Sequence, residues 1–380
     1  MNSHPPSSIL HPRRILVRGT NWLGDAVMTT PALLRLREHF PDAHITLLTP
    51  EKLCGLWLHH PAVNATISFA PDESVFSIGS TLRAGKFDLA LVLPNSPRSA
   101  IETWLAGIPR RIGYARPWRN FFLTKAIAPR AGSVKTRKLT VAEIHRLVAA
   151  DVSRRADHND RAFTSAAAAH QIHEYLHLVA ALGANPEPLP PKLFVTPEEI
   201  EAARKKFGLD IIGRPVFGLN PGAEYGPAKR WPVEKFIAAA RDIQNRTSCT
   251  WLTFGSKADL DIASRIASAI ASPPSAIWNL AGKTGLRELM ALLKFCRVLL
   301  TNDSGPMHVA AALGTPVVVP FGSTSPELTG PGLPGDARHR LLKSDAPCSP
   351  CFLRECPIDF RCLNGITVER VVEAVLEFKL

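Results

Sequence analysis

Short apolar runs, each closed by a small or turn-forming residue, recur along the chain and alternate with stretches whose apolar positions fall at helical spacing. The first, Arg14–Gly19 (RILVRG), reads as a buried strand, followed by a loop over Asn21–Asp25 and a helix over Ala26–Phe40. His44–Leu48 and Phe87–Leu93 (FDLALVL) read as further strands, the second ending at Pro94-Asn95-Ser96. Asn185–Pro191 (NPEPLPP) reads as a linker, because stacked prolines stiffen and extend a chain. The alternation then restarts: strand Val216–Asn220, helix Val233–Asn245, strand Thr250–Phe254, and helices Asp259–Ile270 and Leu286–Leu293. A buried run at Val298–Leu300, a short helix Met307–Leu313, a strand Val317–Pro320 and a terminal helix Thr367–Leu380 complete it. Strands alternating with helices predict an α/β architecture of doubly wound parallel sheets. The expected division is residues 1–185, a linker 186–191, residues 192–366 and a terminal helix 367–380.

The chain has 380 residues, enough for two domains with full cores, and its 46% hydrophobic and 21% charged content is that of an ordinary globular protein. No apolar run approaches the roughly 20 residues a membrane span needs. The opening MNSHPPSSILHPRR has no apolar stretch resembling a secretion signal, so a cytoplasmic location is expected. A net charge of +12 favours an anionic partner: nucleic acid, an acidic membrane face or a phosphorylated substrate. The basic residues are dispersed, with small clusters at Arg13-Arg14, Arg110-Arg111 and Lys135–Lys138 and no long basic arm. An aromatic-interleaved basic surface and a recognisable reading helix are both missing from the pattern, which counts against a nucleic-acid binder.

The stretch Thr301–Gly322 (TNDSGPMHVAAALGTPVVVPFG) carries the clearest chemistry. A buried strand stops at Asn302-Asp303-Ser304-Gly305-Pro306 and a short helix starts, so bare N–H groups and the helix dipole meet at a strand end, a seat for phosphate. Gly305 allows close backbone approach, Ser304 can donate a hydrogen bond, and His308 lies one turn into the helix. Asp303 would repel a phosphate, and is read as capping the helix, binding ligand hydroxyls or orienting nearby N–H groups. A second loop, Asn220–Pro232 (NPGAEYGPAKRWP), presents Lys229 and Arg230 just before a helix, and a cation there suits a diphosphate.

The first strand–helix loop, Gly19–Asp25, is neither GxGxxG nor a P-loop. It offers one carboxylate, Asp25, as a general base or as a helix cap. Asp259-Leu260-Asp261 superficially resembles a metal-binding DxD, but its place at a helix start is explained by the dipole, and no catalytic metal is assigned. His170, His173 and His177 could share a helix face, read as wet rather than as a metal site. Cys348, Cys351, Cys356 and Cys362 cluster within a short loop, where they could hold structural zinc or an iron–sulfur cluster, remain reduced thiols, or form a disulfide on isolation.

Together, RGTNWLGDAVMTTPAL (Arg18–Leu34), RIGY (Arg111–Tyr114), NPGAEYGPAKRWP (Asn220–Pro232), NDSGPMHVAAALGTPVVVPFG (Asn302–Gly322) and CSPC (Cys348–Cys351) resemble glycosyltransferase family 9, the ADP-heptose:lipopolysaccharide heptosyltransferases. The resemblance implies a GT-B fold, two Rossmann-like domains facing across a cleft. The first would take a lipopolysaccharide inner-core acceptor and the second ADP-heptose, with the terminal helix packing back on the first. It implies inverting heptosyl transfer with no required metal cofactor, by a monomer in peripheral contact with the cytoplasmic face of the inner membrane. Asp25 would be the base and Lys229 the catalytic cation. Gly222, Lys229, Asp303, Ser304, Gly305 and His308 would bind the donor, and Arg111, Arg116 and Arg119 the acceptor. Where several family members have Thr or Ser before the lysine, this loop reads Ala223-Glu224-Tyr225-Gly226, so Tyr225 or backbone N–H groups would substitute. The alternatives are a GT-B transferase or epimerase using another sugar nucleotide and, more distantly, a basic nucleic-acid-binding protein.

Overall fold

The computed structural model describes residues 11–134, 136–153, 169–209, 213–270 and 277–378. Residues 1–10, Lys135, 154–168, 210–212, 271–276 and the last two residues of the predicted terminal helix lie outside the described residues. The chain forms two compact units, Met1–Ser133 with Gln171–Phe194, and Val134–His170 with Val195–Leu380.

In the first unit the strands are β1 (Arg14–Arg18), β2 (His44–Pro50), β3 (Ala65–Phe69), β4 (Leu89–Val92), β5 (Arg110–Tyr114) and β6 (Lys125–Ile127). In the second they are β7 (Val216–Asn220), β8 (Thr250–Thr253), β9 (Ile277–Asn279), β10 (Leu299–Thr301), β11 (Val317–Pro320) and β12 (Arg340–Leu342). The two sheets run β3-β2-β1-β4-β5-β6 and β12-β11-β10-β7-β8-β9. Each chain segment therefore starts in mid-sheet, runs to one edge, then crosses back to build the other half. All pairings are parallel, β1 lying between β2 and β4, and β7 between β8 and β10. Parallel strands covered by helices on both faces must be apolar throughout: β4 is buried at all four positions and β7 at all five. This order leaves one reversal point per sheet, between β1 and β4 and between β7 and β10, where adjacent loops diverge and ligands bind.

The predicted helix over Ala26–Phe40 is two helices, Leu23–Met28 and Thr30–His39. Pro31 has no N–H for the Val27 carbonyl, and the Thr30 hydroxyl takes that acceptor instead at 2.8 Å.

Two segments belong elsewhere than expected. The terminal helix, Val368–Leu376, was expected on the first domain; it buries Val371, Val372 and Val375 in the second unit's own core with Phe236 and Ile243. The segment that follows Ser133, placed by the expected division within residues 1–185, likewise belongs to the second unit. Its helix Val141–Ser153 buries Ile144 against Cys348 and Cys351, and Leu139 N–H donates to the Cys351 carbonyl at 3.0 Å. The proline-rich stretch stays with the first unit: Arg35 Nε donates to the Glu187 carbonyl at 2.9 Å, and Lys192 N–H to Thr30 Oγ1 at 3.1 Å.

Candidate functional site

The reversal point of the second sheet brings together the loops that leave β7 and β10. Two asparagines closing these apolar strands join the loops. Asn220 Nδ2 is shared among the Gly222 carbonyl (3.3 Å), Thr301 Oγ1 (3.2 Å) and Ser304 Oγ (3.2 Å). Asn302 donates to the Pro221 carbonyl at 2.7 Å and accepts from Trp231 N–H at 2.9 Å. This clamp delivers Lys229 to the turn after β10, with Nζ 2.7 Å from Asp303 Oδ2 in a pair whose side chains are only 14% and 4% exposed. Thr324 Oγ1 donates to the same carboxylate oxygen. Asp303 therefore orients the lysine and is not the helix cap. The helix Gly305–Ala312 has Ser304 at its cap position and no side chain capping it. Its first turn, Ser304 to Pro306, is half-exposed, so an open helix N-terminus and an ammonium lie within one residue of each other.

The lysine loop is held from both sides. A Cβ on Gly222 would come within 2.5 Å of the Asp259 carboxylate, and one on Gly226, whose φ is +149°, within 2.5 Å of the Arg354 carbonyl oxygen. Asp259 accepts from Ser256 N–H at 2.9 Å and Ser256 Oγ at 2.7 Å, so the DxD look-alike is a cap. Arg230, the other cation of this loop, donates to the Ala223 carbonyl at 3.1 Å and sits 3.9 Å from Asp259. Tyr225 is not the substitute phosphate hydroxyl. Its OH donates to the Phe352 carbonyl at 2.7 Å, and its ring lies 4.9 Å beneath the Lys229 ammonium.

In the first unit, the turn after β1 leads into the helix Leu23–Met28. Asp25 stands half-buried in its first turn, but the cap position is Trp22 and no side chain caps that helix. Asp25 Oδ1 instead accepts from Gln171 Nε2 at 2.7 Å and from Tyr175 OH at 3.5 Å. The carboxylate is thus oriented by side chains from a helix about 150 residues away in sequence, an arrangement suited to a positioned base. Beneath the turn, Arg18 and Glu102 form an ion pair at 2.8 Å with side-chain exposures of 1% and 0%. Arg18 Nη1 also donates to the Gly19 carbonyl (2.7 Å) and Asn21 Oδ1 (2.8 Å), fixing the loop.

The three candidate acceptor arginines differ. Arg111 is engaged by the carbonyls of Phe122 and Ile108 and holds strand ends. Arg116 donates to the Ala115 carbonyl at 3.0 Å and lies over the Tyr114 ring. Arg119 is fully buried, with Nη1 3.3 Å from Asn95 Oδ1 and no partner for Nε or Nη2 among the described residues. Burial, and then Arg116, push its pKa down to about 10.

Residues 139–360 match the sequence profile of glycosyltransferase family 9 (heptosyltransferase). The chain is 32% identical to lipopolysaccharide heptosyltransferase 2 of Salmonella typhimurium, over 84% of this chain and 85% of that protein. It is also 32% identical to the Escherichia coli K12 protein of that name, over 88% and 91%. The chain belongs to glycosyltransferase family 9. Its fold matches the structure of E. coli ADP-heptose lipopolysaccharide heptosyltransferase II with a TM-score of 0.75 at 28% identity, covering 96% and 98% of the two chains.

Three histidines of this family 9 enzyme are buried deeply enough that desolvation outweighs any neighbouring acid. Burial pushes His60, His308 and His339 each down to about 4, with Asp303 opposing the shift at His308 and Asp336 at His339. His308, one turn into the helix after β10, is therefore a neutral imidazole at pH 7. A histidine depressed below its unfolded value of about 6.5 stabilises the fold fully above that pH and loses the contribution as pH falls toward 4, by up to about 3 kcal/mol each. The melting temperature is expected to drop between pH 6.5 and 5, where the carboxylates are still ionised. His60→Phe, which keeps a ring between Trp57 and Phe194, should flatten part of that drop in a thermal scan. A pH-independent melting temperature across that window would contradict the assignment.

The predicted histidine trio does not form a set: His170 contacts the Gly330 carbonyl of the second unit at 3.0 Å, and His177 stacks on Tyr114 of the first. The four clustered cysteines are all free, and among the described residues no group of three His, Cys, Asp or Glu could hold a metal ion, so structural zinc is not supported. Cys348 and Cys351 pack against Ile144, and burial, then the neighbouring thiols, push Cys362 up to about 12. Their loop is a buttress. Ala228 N–H donates to the Arg354 carbonyl (3.0 Å) and Phe352 N–H to Ser323 (2.7 Å), bracing the Lys229 loop. Sequence reasoning missed the roles of Asn220, Asn302, Arg18, Glu102, Gln171 and Tyr175. The available signal was a polar residue closing an apolar strand at Arg18, Asn220 and Asn302; the others have none.

Proposed function

We propose that this family 9 enzyme transfers L-glycero-D-manno-heptose from ADP-heptose to the heptose- and Kdo-bearing inner core of lipopolysaccharide, inverting the anomeric centre. The observation that carries the reading is the 32% identity to lipopolysaccharide heptosyltransferase 2 over 88% of the chain. The local chemistry agrees with it. In the second unit Lys229, Ser304, the N–H groups following Gly305 and neutral His308 form a cradle of donors for a diphosphate that gains charge as it leaves. Asp303 keeps the ammonium in place, and the bare Gly222 lets the Asp259 carboxylate pack against the loop backbone. In the first unit Asp25, held by Gln171, takes the proton from the acceptor hydroxyl as its oxygen attacks. The reading assigns no step to a metal ion.

Arg116, partly exposed and without a carboxylate partner among the described residues, suits the acidic groups of an inner-core saccharide. The buried Arg119 guanidinium beside it adds positive potential, whereas Arg111 has a structural role. The acceptor is lipid-anchored, which puts the working enzyme at the cytoplasmic face of the inner membrane as a peripheral monomer. No helix among the described residues is long and apolar enough to cross a membrane.

The test is a matrix of nucleotide sugars against acceptors, read by mass spectrometry and nucleotide release. ADP-heptose with a heptose-bearing core acceptor should yield ADP and a product one heptosyl unit heavier. Turnover with a UDP-sugar in preference to ADP-heptose would overturn the donor assignment.

A further inference from the structure

We propose that the β5–β6 loop, Ala115–Thr124, is an interfacial anchor that seats the first unit on an anionic lipid bilayer through Trp118 and Phe121. These two side chains are 89% and 81% exposed, the most exposed large apolar groups among the described residues. They lie in an ordered loop. Arg116 N–H donates to Asn120 Oδ1 at 2.9 Å, Phe122 N–H to the Arg119 carbonyl at 3.0 Å, and Leu123 is buried against Val92 and Ala100. The chain holds Trp118 at φ +63°, a left-handed conformation that a bulky side chain adopts at a cost, and it does so where the indole has no internal contact to gain. The apolar surface continues inward. Phe121 meets Phe122 edge-on at 5.5 Å, and Phe122 meets the 43%-exposed Trp104 at 5.5 Å.

Charge selects the occupant. From Arg98 to Arg130 there are seven basic residues and one acid, Glu102, which is fully buried and paired with Arg18. Arg116 flanks the aromatic tip and has no carboxylate partner among the described residues, while Lys125 at the loop's end is exposed. Aromatic side chains that project from a rigid loop between cations match the headgroup zone of an anionic bilayer: rings at the interface, cations on the phosphates. A protein partner of similar chemistry would need acidic groups around an aromatic pocket. A second copy of this loop would bring like charges together.

The proposal rests on the reading of the acceptor as a lipid-anchored saccharide, and its test separates the two. The purified full chain is sedimented with phosphatidylethanolamine vesicles, with and without phosphatidylglycerol, and compared with Trp118→Ser/Phe121→Ser. Both sites are exposed, so the variant should keep the wild-type melting temperature. Wild-type partitioning should require phosphatidylglycerol and weaken with salt. The variant should partition at least about tenfold less and lose a similar factor in kcat/KM on vesicle-embedded acceptor, while matching wild type on a delipidated, water-soluble acceptor. Equal partitioning of variant and wild type overturns the proposal, as does wild-type indifference to phosphatidylglycerol. So does sedimentation velocity that shows a wild-type dimer dispersed by the variant, since a second copy would then cover the loop. Failure of the wild type on the soluble acceptor would strike the acceptor reading instead.

Discussion

Asp25→Asn is expected to reduce heptosyl transfer by about 10²- to 10⁴-fold, the range that a positioned general base contributes, while leaving the dissociation constant for ADP-heptose within about twofold of wild type. Asparagine is the informative substitution because it keeps the shape of the site. Gln171 Nε2 donates to Asp25 Oδ1 at 2.7 Å, and an asparagine carbonyl oxygen can accept the same bond. The helix Leu23–Met28 does not depend on Asp25 for its cap, so folding should be intact. What is removed is the capacity to accept a proton from the acceptor hydroxyl. The loss should therefore appear in kcat at saturating donor and acceptor, with donor affinity measured separately by calorimetry. Turnover within a few fold of wild type would take Asp25 out of the mechanism and leave it an orienting contact for Gln171 and Tyr175.

The sequence exposes Asp25 as a candidate but not the machinery that orients it, and the reason is physical. Local patterning reports burial along one segment; it is silent on partners brought together by topology. Central strands are legible because both faces are covered: β1, β4, β7, β10 and β11 read as apolar runs and were predicted within about two residues. The edge strands β3, β6, β9 and β12 are short and partly exposed, with burial that alternates or never completes, and they carry no such run. The same contrast holds at the site. The open helix start after β10 and the loop bearing Lys229 could be read from glycine, proline and lysine placement. That Lys229 would pair with Asp303, Arg18 with Glu102, and Gln171 with Asp25 depends on strand order, since the partners lie far apart in sequence. The terminal helix shows the limit in another form. Its amphipathic valines announce a buried face, but only the packed structure shows that Phe236 and Ile243 cover it.

Lys229→Met should weaken ADP-heptose binding about ten- to hundredfold and lower kcat by a further 10²-fold or so. A hydrogen bond to a charged group is worth about 1.5–3 kcal/mol, and a donor aimed at developing charge more in the transition state than in the ground state. The lysine also has a structural partner, which complicates the single variant. Asp303 is 3% exposed, and without the ammonium at 2.7 Å it becomes a buried carboxylate held, among the described residues, by Thr324 alone, a loss of about 3–5 kcal/mol in stability. A fall in activity could then be a fall in folded protein. Lys229→Met/Asp303→Asn resolves this, because the neutral amide can still accept from Thr324 and no unpaired charge remains. The double variant should recover most of the melting temperature lost by the single variant and recover none of the donor affinity. If instead it bound ADP-heptose as wild type does, the ammonium would be only the counter-ion of Asp303, and the leaving diphosphate would have to rely on Ser304, His308 and the helix N–H groups alone.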